Sequence, residues 1–119
     1  MLTHQARHEY WTSRFNKFTS KQKTTLRDSL GNLLPLSKPK NSSLSNKPFS
    51  EKIEGNKEAL IGYRYGCYAE NEVAKEKEWT PETILARGLK MLNFMEKRWS
   101  IEIGDESQKK TMLGLDFMK

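Results

Sequence analysis

The chain has 119 residues, 35% of them hydrophobic and 30% charged, with 21 Lys and Arg against 15 Asp and Glu for a formal charge of +6. That length accommodates one modest core and excludes two sizeable ones, so a single domain over residues 1–119 is expected; the lone cysteine, Cys67, excludes an intramolecular disulfide and a thiolate metal cluster. No apolar run is long enough to cross a membrane, and the basic balance favours a polyanionic partner, so a cytoplasmic protein with no membrane association is expected.

Taken in chain order, Met1 to His8 is polar and without period, which predicts an extended start in which His4 and His8 are solvated linker histidines. Over Glu9 to Phe18, the aromatics Tyr10, Trp11, Phe15 and Phe18 recur at helical spacing and predict a core-facing stripe. Thr19 or Ser20 is placed to cap a second helix running to about Ser29. The apolar run Leu30 to Leu36 reads as a strand, confined to an edge by Pro35, which has no N–H to donate. After a Pro and Lys turn, a helix is expected from Pro39 or Asn41, anchored by Leu44, Phe49 and Ile53 and broken by Pro48.

Gly55 to Gly66 carries the glycines of a flexible section, and the aromatics that follow are expected to pack against the last helix, with Cys67 as a small buried or half-buried hydrophobe. Ala69 to Lys77 reads as a short charged helix. Trp79-Thr80-Pro81-Glu82 is a helix start, with Thr at the N-cap, Pro at the first position and an acid in the first turn; the helix is expected over 80–99 with Ile84, Leu85, Gly88, Leu89, Leu92, Met95 and Trp99 on its apolar face. In the variable tail, 100–119, the apolar residues Ile101, Ile103, Leu113, Leu115 and Phe117 fit either a small hairpin or a loose extension.

The stretch 29–52 carries a pattern: Gly31-Asn32-Leu33-Leu34-x-Leu36, then Lys40-Asn41-Ser42-x-Leu44-x-Asn46, then Phe49-x-x-Lys52. It resembles the second half of the HNH, or ββα-metal, endonuclease core, and more narrowly the nuclease domain that closes the chains of GmrSD-type modification-dependent restriction enzymes. Glu9-Tyr10-Trp11 and Trp79-Thr80-x-x-x-Ile84-x-x-Arg87 are similar to other parts of that family. The resemblance implies an α+β fold, mostly α, with a partial ββα element on a small helical bundle. It implies metal-dependent hydrolysis of DNA, with a divalent ion such as Mg²⁺. Asn41 would be the metal ligand, and Asn32, nine residues earlier, would hold the hairpin loop through backbone hydrogen bonds. The basic residues Lys38, Lys40, Lys47 and Lys52 bracket this site and are expected to receive phosphates, as is Arg87, for which a partner on its own helix, Glu82 or Thr83, is the alternative.

The chain departs from the family in one respect: its Asp/Glu-His pair, which binds metal and supplies the general base, has no counterpart here. Counting back from Glu9-Tyr10-Trp11 puts that pair at or before Met1, so an N-terminally incomplete, catalytically inactive nuclease domain is expected, with recognition or nucleotide hydrolysis in an upstream domain or subunit. The alternative is a non-catalytic fragment that binds DNA or a partner.

Overall fold

The computed structural model describes residues 2–3, 8–56 and 58–118. His4, expected to be a solvated linker histidine, lies outside them. The described chain is helical: α1 (Glu9–Phe15), α2 (Ser20–Asp28), a 3₁₀ turn (Leu30–Asn32), α3 (Lys38–Leu44), α4 (Phe49–Glu54), a second 3₁₀ turn (Tyr63–Tyr65), α5 (Tyr68–Ala74), α6 (Pro81–Trp99) and α7 (Glu106–Met112). It divides into two compact units, one from Met1–Asn16 and Leu34–Trp79, the other from Lys17–Leu33 and Thr80–Lys119.

The first unit is built on aromatic rings. Trp11, Phe15, Phe49, Tyr63 and Trp79 are all at most 2% exposed, and Phe49 lies 5.3 Å from Trp79 and 6.4 Å from Tyr63 between ring centroids. Rings of this size bury much apolar area per residue, which lets a short chain segment form a core. Their polar atoms are satisfied: the Trp11 indole N–H is shared between the carbonyls of Asn46 and Lys47, each at 3.0 Å, and the Tyr10 hydroxyl accepts from the Trp79 backbone N–H at 2.7 Å. The aromatic stripe is therefore core, as its spacing predicts, up to Phe15. Helix α1 stops there, and Phe18 packs in the second unit, 5.6 Å from Phe117. His8 is the N-cap of α1; its Nδ1 accepts from the Tyr10 N–H at 3.0 Å.

The second unit is organised by α6, whose limits match the sequence signals: Thr80 caps it through the Thr83 N–H, Pro81 fills the first turn, and Ser100 ends it in the left-handed region. Pro81, Ile84, Gly88 and Leu92 form its buried side. Helix α2 opens with a reciprocal Thr19–Gln22 capping box and buries Leu26. The tail is neither a hairpin nor loose. Asp105 and Gln108 make a second capping box that starts α7, and the following turn buries Leu113, Leu115 and Met118. The Lys109 ammonium fixes this helix through the Glu96 carboxylate and, at 2.7 Å, the Asn93 amide oxygen.

The strand expected over Leu30 to Leu36 is not formed. Leu30–Asn32 is a 3₁₀ turn, residues 33–37 carry no regular structure, and the β pairing among the described residues is the isolated antiparallel bridge Asn56–Ile61. The reason is close packing: Gly31 lies against α6 so tightly that a Cβ on it would sit 1.9 Å from the Ile84 carbonyl oxygen and 2.8 Å from the Gly88 nitrogen. The architecture is α-rich.

Among the described residues, 55–56 and 58–66 are held by hydrogen bonds rather than loose. The Asn56 side-chain oxygen accepts from the N–H groups of Glu58 and Ala59, while Gly55 and Gly62 take φ values of +53° and +137°. Cys67, expected inside, is exposed at the start of α5. Its place is local in origin, because the Glu70 carboxylate accepts the Cys67 N–H in a capping arrangement.

Candidate functional site

Helix α3 carries the motif Asn. Ser37 begins it by accepting the Lys40 N–H, Pro39 occupies its first turn, and Ser45 ends it at φ 45°. Asn41 is the helix's fourth residue and its side chain is exposed. Leu44, one turn on, is 2% exposed and anchors the helix, while Asn41 stays in solvent. Beside α3 opens a cleft of about 430 Å³, lined by Ser43, Leu44, Lys47, Gly55, Asn56, Glu58 and Ile61. It brings one ammonium and one carboxylate to the same hollow.

The basic residues around the motif separate into two kinds. Lys38 and Lys47 are exposed. Lys40 is drawn away from solvent: its ammonium donates to Glu70 Oε1 at 2.8 Å, with the two side chains 17% and 8% exposed. Burial pushes the Glu70 carboxyl up, but the hydrogen bonds from Lys40 and Cys67 outweigh it and hold the group below the usual carboxylate range. Lys52 is 2% exposed, with its ammonium 5.1 Å from the centre of the Trp11 ring. Desolvation pulls its pKa down to about 8. Of the four lysines expected to receive phosphates, Lys40 is thus bound to a carboxylate and Lys52 is buried against the Trp11 ring.

Asn32 and Arg87 belong to the second unit, and they act on one turn. Asn32 is 5% exposed, and its Nδ2 donates to the Arg27 carbonyl at 2.8 Å. Arg87, half-buried, donates from Nη1 to the carbonyls of Gly31 and Leu33 at 2.9 and 2.8 Å. The guanidinium clamps the turn that contains Asn32. Spacing could not have shown this role, because the two partners lie more than fifty residues upstream.

The donor set falls short of what a divalent ion requires. Among the described residues no three His, Cys, Asp or Glu side chains stand together as ligands, and Asn41 contributes a neutral oxygen. A hard cation such as Mg²⁺ takes several oxygens, with at least one carboxylate as a rule. The described residues do not make up such a centre by themselves. No helix among them is long and apolar enough to cross a membrane.

No curated protein and no solved structure matches the chain. The family described as GmrSD restriction endonucleases, C-terminal domain, matches over residues 5–94, a span that holds Trp11, the whole 29–52 motif and α6 up to Phe94. The chain therefore belongs to the family of GmrSD restriction endonuclease C-terminal domains.

Proposed function

We propose that this chain is the DNA-engaging part of a metal-dependent endonuclease domain, in which Asn41 offers an amide oxygen near the scissile phosphate and Asn32 holds the turn that the motif begins with. The observation that carries the reading is the family match across the motif together with the exposed Asn41 flanked by exposed Lys38 and Lys47. In this reading Lys38 and Lys47 neutralise backbone phosphates. Lys40 and Arg87 support the motif through Glu70 and through the Gly31 and Leu33 carbonyls. Residues 33–37 are the segment against which the family's first strand would pair to complete a ββα element, and an upstream recognition or nucleotide-hydrolysing domain would select the DNA.

Cleavage needs a base, and an amide is not one near neutral pH. General-base assistance contributes on the order of 10²–10⁴-fold, so the 119 residues, which contain no Asp-His or Glu-His pair, are expected to bind DNA without cutting it. The same observation favours a second reading, a non-catalytic DNA- or partner-binding module. Nicking of supercoiled plasmid with Mg²⁺ or Mn²⁺ separates the two. The chain alone should leave the plasmid intact, a version joined to a segment bearing a carboxylate–His pair should nick it, and Asn41→Ala in that version should abolish nicking. Nicking by the 119 residues that is lost in His8→Ala would make His8 the base and overturn the assignment; a joined version that cuts nothing would leave the binding module standing.

A further inference from the structure

Helix α6 has a second face that the core does not use. At about 100° per residue, Lys90, Phe94 and Lys97 fall within one narrow stripe, with Arg98 at its margin. All four are exposed, Phe94 by 62%. Phe94 is thus an aromatic ring held in water between cations, on the side of α6 away from Ile84 and Leu92, which fill the core of this unit. None of the three cations has a carboxylate partner among the described residues, and Arg98 lies 5.9 Å from the Trp99 ring centre. Glu96, the acid on this part of the helix, is taken by the Lys109 ammonium and the Ile103 N–H. The stripe is therefore cationic along its length, with a ring at its middle.

We infer that this face of α6 binds single-stranded nucleic acid, with an unpaired base stacked on Phe94 and flanking phosphates on Lys90 and Lys97. The occupant follows from charge and shape. The stripe is complementary to a polyanion. A convex helix surface offers no groove, so a ring projecting from it can stack only on a base that is already unpaired. Lys90 and Lys97 stand about 10.5 Å apart along the axis, which spans about three stacked nucleotides at ~3.4 Å each. The residues of this stripe are not those proposed around Asn41, and its failure leaves that reading untouched.

The test is fluorescence anisotropy of this chain with a labelled 15-nucleotide oligothymidylate and with a 15-base-pair duplex, at low salt and as salt is raised. Phe94→Ala should weaken binding of the single strand roughly tenfold and of the duplex much less. The pair Lys90→Gln with Lys97→Gln should lower the slope of log affinity against log salt by about 1.4, some 0.7 for each phosphate that no longer meets a lysine. Both substitutions are on the surface, and unchanged circular dichroism should accompany them. Unaltered oligothymidylate binding in both variants, with weakening only in Lys38→Gln and Lys47→Gln, would overturn the inference. So would binding to phosphatidylserine vesicles by a chain that ignores oligothymidylate, since the stripe would then be a lipid-facing one.

Discussion

The two units solve the same problem, a core from few residues, with different means. The unit containing α3 is made of helices of six or seven residues, none long enough to persist in water alone, and it is held by tryptophan, tyrosine and phenylalanine packing with indole, hydroxyl and lysine groups tied into the interior. The unit containing α6 is organised by one helix of 19 residues with an aliphatic and glycine face, onto which a 3₁₀ turn and the post-α7 turn pack at close range. The motif helix is thus the dependent one of the two. Where α3 points Asn41 is decided by distant rings and by Glu70, whereas α6 starts and stops on signals it carries itself.

The sharpest way to break that contrast is to remove a ring. Trp11→Ala should cost about 3–5 kcal/mol, from its vacated ring volume and the lost indole N–H bond, and should show first as faster amide exchange in α3 and α4. A cost within 1 kcal/mol by denaturant melts would mean that the aromatic core does not hold the motif. In the other unit the matching experiment adds an atom. Gly31→Ala should cost about 1–3 kcal/mol or more, because its Cβ meets the backbone of α6, which cannot rotate away as a side chain would.

A pH experiment sharpens the difference in interior chemistry. The Lys52 pKa is lowered from 10.5 to about 8 in the folded chain, so between these values the unfolded chain binds more protons. The penalty for burying the charge is thus full below pH 8 and relieved as pH rises towards 10.5. Stability of the native sequence relative to Lys52→Met should therefore rise by on the order of 2 kcal/mol between pH 7 and 9.5, measured by urea melts at each pH. A flat difference would show the ammonium to be solvated. Working below pH 10 matters because burial raises the Tyr10 pKa above 10, which adds a loss of stability in the opposite direction at higher pH. The smallest effect is expected at the tail: Asp105→Ala removes the oxygen that accepts the Gln108 N–H at 2.8 Å and should cost about 1 kcal/mol. It should leave the α6 limits unchanged.

What could be read from the residues alone was whatever acts within a turn or two. Thr80-Pro81 and Thr19 with Gln22 mark helix starts through bonds to N–H groups two or three positions on, and the spacing of Trp11 and Phe15 marks a buried face; none of these needs the rest of the chain. The motif also placed Asn41 near a helix start, and its neighbours Ser37 and Pro39 explain why. Long-range reach was not legible. Lys40 finds Glu70 thirty residues on, Arg87 finds the Gly31 carbonyl fifty-six residues back, and Lys52 is enclosed by a ring from α1. As sequence each looks like a surface cation, and as structure each is a fastener. Likewise the Leu30–Leu36 run has the composition of a strand, but a strand needs a partner and a gap at its side. Gly31 instead sits directly on α6, so packing selected the 3₁₀ turn. Local hydrogen bonding can be read from neighbours in sequence, while the fate of a long flexible side chain depends on which backbone arrives beside it, and that is decided only when the whole chain folds.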